Sequence, residues 1–197
     1  MVDGPDGGGY HAHMPARLPA EIRERLERIR CLVLDVDGVL TDGVLVYGPH
    51  GEAAKRFSVR DGLAVHLILR AGIEVAVISG RRSEAVGIRC RELGVRDELV
   101  IQGSRDKAAD LDEIERILGV GDEAIAAMGD DLPDMPMLQR AGFAACPADA
   151  EPQVAVACDH VCGSVGGRGA VREVAELILK AQGRWHELTA RWTGGEA

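Results

Sequence analysis

Cys31-Leu32-Val33-Leu34-Asp35-Val36-Asp37-Gly38-Val39-Leu40-Thr41-Asp42 is the stretch on which the reading of this chain turns. A short apolar run leads without a break into two carboxylates spaced i, i+2 and a glycine. Runs this brief and this uniformly apolar suit strands buried on both faces, and such strands belong to parallel sheets. With extended geometry, Asp35 and Asp37 face one crevice while Val36 points away. The same residues also suit an ordinary turn. The residues at the ends of the later runs decide between the two.

Working outward, Leu18, Ile22, Leu26 and Ile29 recur at helical spacing and predict an amphipathic helix over 18–30. Downstream, apolar runs at 31–36, 74–79, 98–102 and 124–128 alternate with helical patterns at 63–70, 83–93, 107–118 and 132–140. Further apolar stretches lie near Phe143 and His160, and a last helix is expected over 169–182. Strands alternating with helices are the signature of βαβ units. One segment departs from that order: Gly48-Pro49-His50-Gly51 stands between two short β-type runs and predicts a β-hairpin over about 43–58. The expected fold is α/β, a single doubly wound, Rossmann-like parallel sheet with helices on both faces and an inserted hairpin. The expected division is a loose tail over 1–17, one domain over 18–183 and a C-terminal tail over 184–197.

Composition narrows the function. The 197 residues carry a formal charge of −9, with 32 acidic and 23 basic side chains, which argues against binding nucleic acid through phosphates. Six aromatics are too few for stacking platforms. No apolar run approaches the roughly 20 residues of a membrane span, and the Gly-rich start lacks the pattern of an export signal, so the cytoplasm is the expected location. The five scattered cysteines fit reduced, buried thiols. Cys158-Asp159-His160-Val161-Cys162 also has the look of half a metal knuckle, lacking a second ligand pair.

The polar residues concentrate where the runs end. Gly129-Asp130-Asp131-Leu132-Pro133-Asp134 places three more acids at a strand-to-helix junction. Helix capping explains one or two of them. Five acids across two loops call for a hard divalent cation with oxygen ligands, most simply Mg²⁺. Ser79 closes the second run and, alone, is a plain loop serine. Lys107 opens a helix, where a cation opposes the helix dipole. A chain with three lysines and 20 arginines that puts a lysine there suggests a compact charge was needed, although a surface lysine would read the same way.

Together, Asp35-x-Asp37, Ser79, Lys107 and Gly129-Asp130-Asp131-x-x-Asp134 resemble the four motifs of the haloacid dehalogenase superfamily of phosphotransferases. The resemblance implies Asp35 as nucleophile and Asp37 as the acid and base. It implies a metal held by Asp35, Asp130 and the backbone carbonyl of Asp37, with Asp131 and Asp134 orienting, and Ser79 and Lys107 contacting phosphate. A receiver domain shares the acceptor Asp, Ser/Thr and Lys, but it needs no second Asp two residues on, and its acid pair precedes the acceptor.

No segment is long enough for a cap domain, and three further stretches narrow the resemblance. Phe57-Ser58-Val59-Arg60-Asp61-Gly62, Gly166-Gly167-Arg168-Gly169-Ala170-Val171-Arg172-Glu173 and Ile178-Leu179-Lys180-Ala181-Gln182-Gly183 resemble the capless phosphatases of 3-deoxy-D-manno-octulosonate 8-phosphate. These are homotetramers of lipopolysaccharide precursor synthesis. The resemblance implies Arg60 and Asp61 near the substrate or a subunit contact, and a hairpin packed on other subunits. It also implies a C-terminal segment able to close over a neighbouring site. Arg60, Arg81 and Arg168 are the candidate substrate cations. Ser79 stands where Thr is common, and the segment bearing Trp185 and Trp192 has no counterpart. Related capless enzymes act on other 2-keto-3-deoxy sugar acid phosphates such as a nine-carbon 9-phosphate, and similar domains serve in oligomerisation without catalysis. Complete motifs favour a phosphatase.

Overall fold

The computed structural model describes residues 19–194. The expected tail over 1–17 lies outside the described residues, as do Leu18 and residues 195–197. In chain order the elements are α1 (Ala20–Arg28), β1 (Cys31–Leu34), β2 (Val46–Gly48), β3 (Gly51–Ala54), α2 (Val59–Arg70), β4 (Glu74–Ser79), α3 (Glu84–Leu93) and β5 (Val100–Gln102). They continue with α4 (Lys107–Leu118), β6 (Ile125–Met128), α5 (Met135–Leu138), β7 (Phe143–Cys146), α6 (Pro152–Ala157), β8 (His160–Val161), α7 (Ala170–Ala181) and α8 (Trp185–Thr193).

Six strands form one parallel sheet in the order β5-β4-β1-β6-β7-β8, and β2 and β3 pair antiparallel on their own. From β1 the chain first builds outward through β4 and β5, then returns to build the other side. That reversal makes a crevice beyond the carboxyl ends of β1 and β6. Leu34 is level with Val77 of β4 and Met128 of β6, so the residues just past all three strands emerge along one edge.

The sheet is apolar on both faces because helices cover both. Leu32, Leu34, Val77 and Met128 pack with Leu26, Ile68, Val174 and Ile178 from α1, α2 and α7. Cys31, Val33, Ile78 and Ala127 pack on the other side with Leu111, Ile114 and Met137 from α4 and α5. Neighbouring residues of one strand thus serve two cores, as a period of two requires.

Three elements differ from the expectations. The helix expected over 132–140 is a single 3₁₀ turn, Leu132–Asp134, followed by the four-residue α5. Pro133 and Pro136 each remove a backbone donor, and the Asp134 side chain turns back to cap the turn, so no long helix propagates. Pro152–Ala157 forms α6 where no helix was expected. Within the expected C-terminal tail, α8 buries Leu188, Thr189 and Ala190 and extends the layer begun by α7. A turn at Val36–Leu40 and the hairpin stand between β1 and α2, and α3 and β5 between β4 and α4, so among the described residues no cap domain covers the crevice. Among the described residues no helix is long and apolar enough to cross a membrane.

Leu32 is fully buried at the centre of the sheet. Leu32→Ala should lower the unfolding free energy by ~2–5 kcal/mol in a urea titration, through lost transfer energy and an unfilled cavity. A loss under ~1 kcal/mol would mean that this side chain does not sit in a close-packed core.

Candidate active site

Asp35 continues the line of β1, its N–H donating to the Met128 carbonyl of β6 at 3.0 Å. The chain then turns sharply through Val36–Leu40, closed by the Thr41 N–H donating to the Val36 carbonyl at 3.0 Å. Gly38 allows this turn for two reasons. Its φ is +98°, and a Cβ there would stand 2.0 Å from Oδ2 of Asp130. The loops after β1 and β6 therefore meet with only a hydrogen atom's room between them.

At that meeting point, Lys107 Nζ contacts Oδ1 of both Asp35 and Asp134. All three side chains are buried. Asp134 spends its other oxygen on the N–H groups of Asp130 at 2.9 Å and Asp131 at 3.2 Å. Asp131 is exposed and caps the turn by accepting from the Leu132 N–H. Lys107 opens α4, whose first free N–H groups, those of Ala108 and Ala109, donate to the Asp106 side chain. The ammonium is thus balanced by Asp35 and Asp134 in the position where the helix dipole opposes it.

The electrostatics of the cluster are lopsided. Carboxylate oxygens of Asp35, Asp130 and Asp134 lie within 4.8 Å of one another, against a single ammonium. Burial, with Asp35, Asp134 and Asp131 nearby, pushes Asp130 up to about 8. Burial also pushes Asp35 up to about 6, with Lys107 opposing and Asp134 adding to the rise. Lys107 loses solvation by burial, yet the two acids more than offset that and hold its pKa above the usual lysine value. A hard divalent cation is the complement such crowded oxygens lack. Asp35 and Asp130 could hold such an ion, while Asp134, with Lys107 on one oxygen and the N–H groups of Asp130 and Asp131 on the other, braces the loop that carries Asp130.

Around this centre the structure brings together more than the motifs suggested. Ser79, the last residue of β4, is buried, and its Oγ accepts from the Arg81 N–H at 3.3 Å. Arg81 donates to the Tyr47 hydroxyl at 2.9 Å and lies 3.8 Å from Oδ2 of Asp37. Lys55 pairs with Oδ1 of Asp37 and sits 3.3 Å from Glu52, which accepts from the Ser83 hydroxyl at 2.5 Å. The hairpin is therefore fastened to its own chain's site. Tyr47, Glu52 and Lys55 were not among the sequence candidates. The scarcity of lysine that singled out Lys107 was the available signal for Lys55.

The other predicted substrate cations lie on α2 and on the loop before α7. Arg60, at the start of α2, lines a cavity of about 300 Å³ with Ser164, Arg172 and Lys180, none of them a motif residue. Arg168 is exposed on a loop whose Gly167 N–H donates to the Val39 carbonyl at 2.9 Å. A Cβ on Gly166 would meet the Gly38 carbonyl oxygen at 1.8 Å, so this loop lies directly on the turn after Asp35. Asp61 is buried and accepts from the N–H groups of Gly169 at 3.0 Å and Arg172 at 2.9 Å, anchoring the start of α7.

A family model described as haloacid dehalogenase-like hydrolase matches residues 97–174. The chain is 42% identical over 168 residues to the 3-deoxy-D-manno-octulosonate 8-phosphate phosphatase of Escherichia coli, spanning 85% of this chain and 88% of that one. A crystal structure of the corresponding protein from Moraxella catarrhalis, in complex with magnesium, phosphate and KDO, superposes with a TM-score of 0.84 at 38% identity, covering 87% of this chain and 98% of that one. The cobalt-bound Haemophilus influenzae protein gives 0.78 at 43% identity, covering 81% and 92%.

A cation joining Asp35 to Asp130 should stabilise the fold, by about 2.7 kcal/mol at a concentration 100 times its Kd. Differential scanning should show Tm rising with added MgCl₂, and Asp130→Asn should remove most of that rise. An equal rise in the variant would place the ion elsewhere.

Proposed function

We propose that this chain, which belongs to the 3-deoxy-D-manno-octulosonate 8-phosphate phosphatases of the haloacid dehalogenase-like hydrolases, hydrolyses that sugar phosphate to KDO and phosphate. The observation that carries the reading is the buried contact of Lys107 with Asp35 beside Asp130, at the switch point of the sheet. Asp35 attacks phosphorus, a P–O bond forms to its carboxylate, and the bond from phosphorus to the sugar oxygen breaks. Asp37 gives a proton to that oxygen and then takes one from the water that hydrolyses the aspartyl phosphate. Ser79 donates to a phosphoryl oxygen, and Lys107 offsets charge on nucleophile and phosphate. Mg²⁺, held by Asp35, Asp130 and the backbone carbonyl of Asp37, supplies further neutralisation of phosphoryl charge when bound.

Selection of the substrate falls to the rim. Arg81 and Lys55 beside Asp37 put two cations next to the reacting group, where a sugar acid brings its own negative charge. Arg60 and Arg168 are assigned to the outer part of the substrate. The reading extends to a homotetramer working in the cytoplasm in lipopolysaccharide precursor synthesis. Support for the tetramer is the hairpin's outer edge, where Val44, Val46 and Tyr47 remain exposed in the single chain. The location and pathway rest on the resemblance.

Phosphate release from a panel of sugar acid phosphates should be fastest with the eight-carbon 8-phosphate and should vanish in excess EDTA. Preference for the nine-carbon 9-phosphate would reassign the substrate, and full turnover in EDTA would remove the metal. Asp35→Asn should lower kcat by ~10³-fold or more, since an amide is a poor nucleophile. Sedimentation equilibrium should return four times the chain mass, and a monomer mass would exclude the tetramer.

A further inference from the structure

We propose that His160, Cys162 and Glu173 form a second metal site, separate from the carboxylate cluster, that takes a borderline divalent transition metal such as zinc. His160 and Cys162 are two residues apart at the end of β8, and the Cys162 N–H still donates to the Cys146 carbonyl at 2.8 Å, so the extended geometry persists through both. Val161 pairs with Cys146, which puts His160 and Cys162 together on the opposite face of the sheet, toward α7. Glu173, in the first turn of α7, meets them there. One donor atom from each residue lies within 4.8 Å of the others, and His160 Nε2 is 2.9 Å from Oε1 of Glu173.

The donor types decide which ion fits. An imidazole nitrogen, a thiol sulfur and a carboxylate oxygen make a set suited to zinc, whereas the cluster at Asp35 offers oxygen alone. Bonds of about 2.0–2.1 Å in a tetrahedral site separate nitrogen and oxygen ligands by roughly 3.3 Å, so the existing His160–Glu173 contact has to open only slightly. The Cys162 thiol proton leaves to solvent as the metal–sulfur bond forms. Solvent can complete the coordination, because His160 and Glu173 are only partly buried. An ion here would staple the edge strand to α7 across the loop whose Gly166 and Gly167 lie on Gly38 and Val39, giving it a structural rather than a chemical role.

Cobalt(II) added to chelator-stripped, full-length protein tests the assignment, because only a thiolate ligand gives a near-ultraviolet charge-transfer band. The band should grow to one equivalent, persist in Asp130→Asn and disappear in Cys162→Ser. Its absence from the wild-type protein overturns the proposal, as does its survival in Cys162→Ser, which would move it to another cysteine. If Cys162→Ser fails to fold by circular dichroism, His160→Ala serves instead: its cobalt midpoint should rise at least ~10-fold, and an unchanged midpoint overturns the site. None of these readouts depends on phosphatase activity.

Discussion

Lys107 reaches from the first turn of α4 to two buried carboxylates that belong to different loops, Asp35 after β1 and Asp134 after β6. Each of the three charges would be costly to bury alone, and removing one partner of such a cluster typically costs ~3–5 kcal/mol because the others are left uncompensated. Mutual compensation is what allows them to lie under the crevice at all. It also ties three elements to one point. Asp134 in turn holds the backbone of Asp130 and Asp131, and Asp130 closes onto Gly38 in the turn after Asp35. Geometry at the carboxylates is thereby set by a chain of contacts that returns to its origin.

The surplus of acids in that cluster is a feature rather than a defect. Fully balanced charges would leave no reason for a cation to bind, whereas Asp130, raised to about 8 by burial and by Asp35, Asp134 and Asp131, marks where positive charge is missing. The overall charge of −9 has little bearing on how an anionic sugar phosphate approaches. Screening over roughly 8 Å at physiological salt makes the local cations decisive. Lys55 and Arg81 lie beside Asp37, and both are held there by the hairpin. Without a cap domain, this small insertion supplies both a wall and charge.

The α/β alternation, the sheet and the strand-end acids were legible because each rests on local pattern: apolar runs too short for helices, and carboxylates where those runs stop. Lys107 was legible for a related reason, since a cation at a helix start runs against the dipole. Other features were not. The helix expected over 132–140 breaks up because Asp134 serves the site and two prolines interrupt the ladder, a conflict visible only once the carboxylate has a destination. Lys55 escaped notice because nothing in its local sequence says which way the hairpin that carries it folds. The resemblance puts Asp61 near the substrate or a subunit contact, and its anchoring of the start of α7 was not legible, because the N–H groups it accepts from lie more than a hundred residues away in the chain.

By itself, then, the sequence determined the layer architecture, the edge of the sheet on which chemistry collects and the kind of ion such acids favour. All three rest on periodicity and side-chain type, which act over a few residues. Tertiary structure alone decided which carboxylates are free and which are spoken for, and that Lys55 and Arg81 flank Asp37. It alone carried Glu173 to His160 and Cys162, turning an incomplete knuckle into three convergent donors. Each of those outcomes depends on distances between residues far apart in the chain, and these are set by how helices pack on the sheet.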